Sequence, residues 1–104
     1  IAGPKGRRTV PVEKVPAGPG RTTLGKGEFV EAILLPLPKG KTGDAYLRFT
    51  PRTEMDIAVC SAGVCLKLGR GGVIEEARVA LGAVAPTVVL VPAAAKAIVG
   101  TKLD

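Results

Sequence analysis

Over residues 45–50 apolar and polar positions alternate, with Ala45, Leu47 and Phe49 in one set and Tyr46, Arg48 and Thr50 in the other. Side chains on a strand point to opposite faces with a period of two, so this run predicts a strand with its odd positions in a core. The alternation returns over residues 57–68. There Ala58, Cys60, Ala62, Val64, Leu66 and Leu68 form an unbroken apolar face, and Ser61, Gly63 and Lys67 belong to a mixed one. Gly69-Arg70-Gly71-Gly72 predicts a hairpin turn, because glycine supplies the positive φ that a tight reversal needs. In residues 74–86, helical propensity through Leu81 competes with the turn before it and the β-branched segment after it, and a strand is the reading adopted. Residues 88–91 (VVLV) predict a short buried strand. Residues 92–100 predict a helix, with Pro92 at its first position and Gly100 just beyond its end.

Upstream, residues 28–36 (EFVEAILLP) are an almost continuous apolar run, as expected of a strand covered on both faces. Residues 9–12 predict a short strand, and PAGPGRTT predicts consecutive turns. The polar segment 37–44 is the best boundary between two parts of the chain. Strands first and helix last make the fold class α+β.

Composition narrows the chemistry. Aromatic residues make up 3% of a chain that is 46% hydrophobic, so any core is aliphatic. No apolar run reaches the roughly 18 residues of a membrane span. The chain has two cysteines and no histidine. Cys60 and Cys65 fall on opposite faces of one extended run and cannot bridge, and two thiols without histidine are too few for zinc. They read as small buried hydrophobes in a reducing cytosol. Lys39-Gly40-Lys41-Thr42 contains the end of a phosphate-loop pattern, but Leu35 stands where its first glycine is required. Gly69–Gly72 lacks the third glycine of a dinucleotide fingerprint, since Ile74 occupies that place. Glu75 and Glu76 point to opposite faces, and Glu54 and Asp56 flank Met55. No pair is placed for acid–base work, and Asp56 reads as an acceptor for backbone N–H groups where the chain enters a strand.

The net charge of +6 is weighted toward the first 28 residues, which suits a polyanionic ligand or a solvated basic loop. A nucleic-acid-binding reading would use Arg7, Arg8 and Arg21, with Tyr46 and Phe49 for stacking. Parity places those two aromatic residues on opposite faces, whereas stacking sheets present them together. For Arg48, parity selects a face but not whether that face meets water or a ligand.

Taken in order, Gly27-Glu28, Leu35-Pro36, Tyr46-x-Arg48, Arg52-x-x-x-Asp56-x-Ala58, Gly82-x-Val84-Ala85-Pro86 and Gly100-x-x-Leu103 resemble the flavoprotein component of the molybdenum hydroxylases, the carbon monoxide and xanthine dehydrogenase family. That resemblance implies a small antiparallel sheet with a helix packed on it over residues 42–104. It implies the tail of an FAD-binding domain over residues 1–38, with the family's glycine-rich FAD loops upstream and its last helices beyond Asp104. A piece of this extent is not expected to hold FAD firmly or to be active alone. The implied role is cytoplasmic electron transfer from iron–sulfur clusters through FAD to NAD⁺ or another acceptor, in complex with an iron–sulfur subunit and a molybdenum-cofactor subunit. The resemblance assigns cofactor contacts to Phe29 and Arg48 and a place at the site rim to Arg52. It assigns no catalytic residue and no metal ligand. A cation about 4 Å from the charge of a reduced flavin, in a shielded site, is worth roughly 4 kcal/mol before desolvation. Arginine in place of the family's frequent lysine keeps that charge but brings a planar fork. An alternative within the same complex is a domain that serves chiefly to assemble the subunits.

Overall fold

The computed structural model describes residues 1–53 and 55–103, which fall into two units, Ile1–Leu37 and Pro38–Asp104. Glu54 lies outside the described residues. The second unit is built on β5 (Lys41–Phe49), β6 (Cys60–Leu68) and β7 (Ile74–Gly82), with β8 (Val89–Leu90) at the far edge. All neighbours are antiparallel, and Lys41 opposite Leu68 runs in unbroken register to Phe49 opposite Cys60. One helix, α1 (Pro92–Ile98), follows. The expected α+β class, a small antiparallel sheet with one helix, is what forms.

Residues paired across antiparallel strands share a face. One face therefore carries Leu47, Ala62, Leu81 and Val89 in one row and Ala45, Val64 and Val79 in the next. We call it the leucine face. The other, the tyrosine face, carries Tyr46, Gly63, Ala80 and Leu90, then Arg48, Ser61 and Gly82. In α1, Ala94, Ala95 and Ile98 are half-buried and follow helical spacing, and the helix packs on β7. Ala77, Val79 and Leu81 of β7 are half-buried while Glu76 and Arg78 are exposed, so α1 covers the leucine face at its β7 end. At the β5 end that face is open: Leu47 is 77% exposed, and Phe49 is exposed too. The odd positions of residues 45–50 thus share one face as expected but do not lie in a core, because β5 is an edge strand beyond the reach of a seven-residue helix.

The best-buried apolar side chain among the described residues is Ile74, 3% exposed. It stands opposite Leu68, donates its N–H to Thr101 O at 2.9 Å and accepts from Gly100 N at 2.9 Å. The chain leaving α1 returns here because Gly100 takes φ 88°. Between β6 and β7 the Gly69–Gly72 turn forms as expected, with Gly71 at φ 68° and Gly72 at φ 78°. A register shift between Lys67 and Leu68 lets Lys67 Nζ reach Glu76 at 2.6 Å and Glu75 at 3.8 Å, although alternation would separate those carboxylates.

Several expectations need correction. Pairing of β6 begins at Cys60 and not at residue 57, and β5 begins at Lys41, inside the expected connector. Cys60 and Cys65 are free and exposed, since the faces they occupy are not covered at their positions. Val89 and Leu90 are exposed because β8 is the other edge. Residues 9–12 form no strand; Pro11, which has no N–H to give a ladder, leads into a 3-10 turn at Val12–Lys14.

In the first unit, PAGPGRTT forms a small hairpin, β3 (Pro16–Gly18) with β4 (Arg21–Thr22). β1 (Ala2–Gly3) and β2 (Gly6–Arg7) form another. Ala2 and Phe29 exchange backbone hydrogen bonds at 2.9 and 3.0 Å. Beyond Phe29 the run 28–36 finds no strand partner among the described residues, and Ile33, Leu34 and Leu35 are exposed. Apolar sequence made this stretch extended, but nothing described covers it. Arg8 donates Nε and an Nη to the Glu28 carboxylate at 2.9 and 2.8 Å, and Gly25 N adds a third bond at 2.7 Å. These bonds hold the Glu28 carboxyl at about 2, well below its ordinary 4.5, with the Arg8 contact the larger cause.

Two outcomes follow. In the 104-residue chain Ile74→Ala should cost about 2–5 kcal/mol in chemical denaturation, and Leu47→Ala no more than about 0.5 kcal/mol. Glu28 contributes stability that is complete above its unfolded value of 4.5 and fades as pH falls toward about 2. Arg8→Ala should move the Glu28 carboxyl back toward the ordinary range in an NMR titration and so shift that loss of stability to higher pH.

Candidate functional site

Three sequence-predicted positions were Phe29, Arg48 and Arg52. Phe29 belongs to the first unit. Its backbone is fixed by the bridge to Ala2, and the Gly25–Glu28 turn before it is clamped by the Arg8–Glu28 contact, leaving the ring 59% exposed. Gly27, at φ 78°, makes that turn possible, and a Cβ there would lie 3.0 Å from the Pro4 ring.

Arg48 and Arg52 belong to the second unit. Arg48 emerges on the tyrosine face two residues after Tyr46, exposed, with no ion pair or hydrogen bond to a described side chain. Tyr46 is 65% exposed and its ring edge lies over Gly63, 3.8 Å from where a Cβ would stand. The space that Gly63 leaves is covered by the Tyr46 ring, and the space that Gly82 leaves in the Arg48 row is taken by the Ser61 hydroxyl. The face therefore sets an aromatic ring and a cation side by side.

Arg52 sits in the β5–β6 connection. Its backbone N–H donates to Asp56 Oδ2 at 2.9 Å, and its guanidinium approaches the same carboxylate at 3.4 Å. Asp56 therefore accepts the backbone bond expected of it and closes the turn. Met55, within that turn, takes φ 51° and is fully exposed. Arg52 and Arg48 thus differ: one is partnered within its own loop, the other is presented from a strand.

Sequence reasoning missed Ser61. It stands directly between Arg48 on β5 and Gly82 on β7 and is 9% exposed. Alternation placed it correctly on the mixed face, but its burial depends on a neighbouring strand that alternation does not reveal. At the same strand end, Leu47, Phe49, Ala62, Leu81 and Val84 wall an open depression of about 430 Å³ that Arg48, Cys60 and Ser61 also line.

The arginines of a nucleic-acid reading are differently disposed. Arg7 is paired with Glu31 at 2.7 Å and Arg8 with Glu28 at 2.8 Å. Register keeps Tyr46 and Phe49 on opposite faces. Among the described residues no group of three acidic, cysteine or histidine side chains could hold a metal, and no helix is long and apolar enough to cross a membrane.

Comparison with known proteins connects this geometry to a family. The xanthine dehydrogenase FAD-binding subunit of Escherichia coli O157:H7 is 34% identical over 88 residues, covering 84% of this chain and 30% of that protein. The carbon monoxide dehydrogenase medium chain of Afipia carboxidovorans is 35% identical over 104 residues, covering 100% of this chain and 35% of that one. The chain therefore spans about a third of the length of these relatives. The crystal structure of a Cu,Mo-CO dehydrogenase in its cyanide-inactivated form matches with a TM-score of 0.87 and 35% identity, over 99% of this chain and 35% of that one. The carbon monoxide dehydrogenase of Hydrogenophaga pseudoflava that lacks the Mo-pyranopterin moiety matches with a TM-score of 0.73, 29% identity and the same coverage. Residues 45–104, from the middle of β5 onward, match the family of the CO dehydrogenase flavoprotein C-terminal domain, and the chain belongs to that family.

Proposed function

We propose that this chain is part of an FAD-binding, electron-passing subunit of a molybdenum hydroxylase, and that the tyrosine face of its second unit borders the flavin ring. The observation that carries this reading is the placement of Arg48: an exposed cation on the same sheet face as an exposed tyrosine two residues before it, within the segment that matches the family. FAD, when bound, takes up electrons and passes them on. The chain's contribution is to hold the ring and bias its charge. Tyr46 offers an apolar wall. Arg48 supplies a fixed positive charge that favours the more negative redox form. Arg52, held by Asp56, rims the site. Phe29, from the first unit, packs against the cofactor.

In the same proposal, residues 1–38 are the tail of the FAD-binding domain and residues 42–104 belong to the C-terminal domain of the flavoprotein. The partners are an iron–sulfur subunit and a molybdenum-cofactor subunit, NAD⁺ or another acceptor receives the electrons, and the complex is cytoplasmic. The names of the relatives, an FAD-binding subunit of xanthine dehydrogenase and a medium chain of carbon monoxide dehydrogenase, support this assignment.

Arg48→Ala in the full-length protein should lower the flavin midpoint potential by about 30–60 mV for the two-electron couple, the equivalent of one charge-assisted hydrogen bond, or else reduce FAD content. Spectroelectrochemical titration reads the first and the ratio of flavin to protein absorbance the second. An unchanged potential together with unchanged FAD content contradicts the role.

A further inference from the structure

Ser61 is unusual among the polar residues of the sheet. At 9% exposure it is nine-tenths buried, yet its hydroxyl makes no hydrogen bond to a described residue. No buried polar side-chain atom among the described residues is left without a partner, so the hydroxyl oxygen is not sealed in but opens to the surface. Its two cross-strand neighbours define where it opens. On one side is Arg48; on the other is Gly82, where any Cβ would collide with the Ser61 hydroxyl. A glycine on β7 thus makes room for a hydroxyl on β6 that the protein does not itself use. Because it opens to the surface, that hydroxyl is free to bond water or a ligand.

We infer that Ser61 is a ligand-contacting residue: its hydroxyl and the Arg48 guanidinium form one polar row on the tyrosine face, which binds the heteroatom edge of a planar ring while Tyr46 flanks the ring itself. The inference rests on the reading that this face borders flavin, and it adds a second, neutral contact to the cationic one. A serine hydroxyl both donates and accepts, so it can meet a ring carbonyl or a ring N–H. Arg48 can only donate. Together the two groups read the order of donors and acceptors along the edge, which a lone cation cannot do.

The test uses the full-length protein, purified with FAD, as wild type, Ser61→Ala and Arg48→Ala. Readouts are FAD retained per chain on dilution, the visible flavin spectrum, and the thermal midpoint of the apoprotein. Ser61→Ala is expected to weaken FAD retention roughly 3–10-fold, the range of one neutral hydrogen bond, and to shift the flavin band, with the apoprotein midpoint unchanged. Normal retention and spectrum in Ser61→Ala, beside impaired Arg48→Ala, overturns the serine contact and leaves the flavin-facing reading intact. Two normal variants overturn both. A lowered apoprotein midpoint that accounts for the lost FAD makes Ser61 a structural residue and overturns the inference as well.

Discussion

The pairing of β5 with β6 decides which side chains this protein can offer to a ligand. Nine consecutive cross-strand pairs hold Lys41 opposite Leu68 and Phe49 opposite Cys60. Because side chains alternate, a slip of one residue would replace Arg48 by Leu47 on the tyrosine face and strip that face of its cation. The register is fixed where β5 runs into β6. There Asp56 closes the connection by accepting the Arg52 N–H, and Val59 N reaches Phe49 O at 2.9 Å.

The two faces of that sheet answer different physical demands. The leucine face gives its β7 half to α1 and leaves its β5 half apolar and open, as surface of this kind does where another element or partner rests. The tyrosine face mixes Tyr46, Arg48 and Ser61 with Ala80 and Leu90 and is interrupted by Gly63 and Gly82. In its row of Arg48, Ser61 and Gly82, the serine hydroxyl takes the space the glycine leaves, and Arg48 stands exposed. In the first unit the demand is different again: Arg8 and Glu28 spend their charges on each other, so that Phe29 emerges from a fixed turn.

What could be read from the sequence was what alternation and turn chemistry encode. Arg48 was assigned to the face opposite Leu47 from parity alone, and Pro92 and Gly100 bracketed the helix. Asp56 was read correctly as a backbone acceptor, since its position at a strand entrance is a local matter. What could not be read was coverage. The run 28–36 looked buried because it is apolar, and Cys60 looked buried because cysteine usually is, but burial depends on what lies across from a segment. Ser61 escaped for the same reason. Its confinement comes from Arg48 on one strand and Gly82 on another, and only pairing brings those three together. The family, in contrast, was legible from an ordered set of short motifs, each weak alone.

The most direct test of the account is a crystal structure of the full-length protein with FAD bound. The account predicts the flavin ring lying on the tyrosine face, with the Arg48 guanidinium within about 3.2 Å of a ring heteroatom. A ring seated on the Leu47–Phe49 side of the sheet, or away from β5 altogether with Arg48 in bulk water, would contradict it.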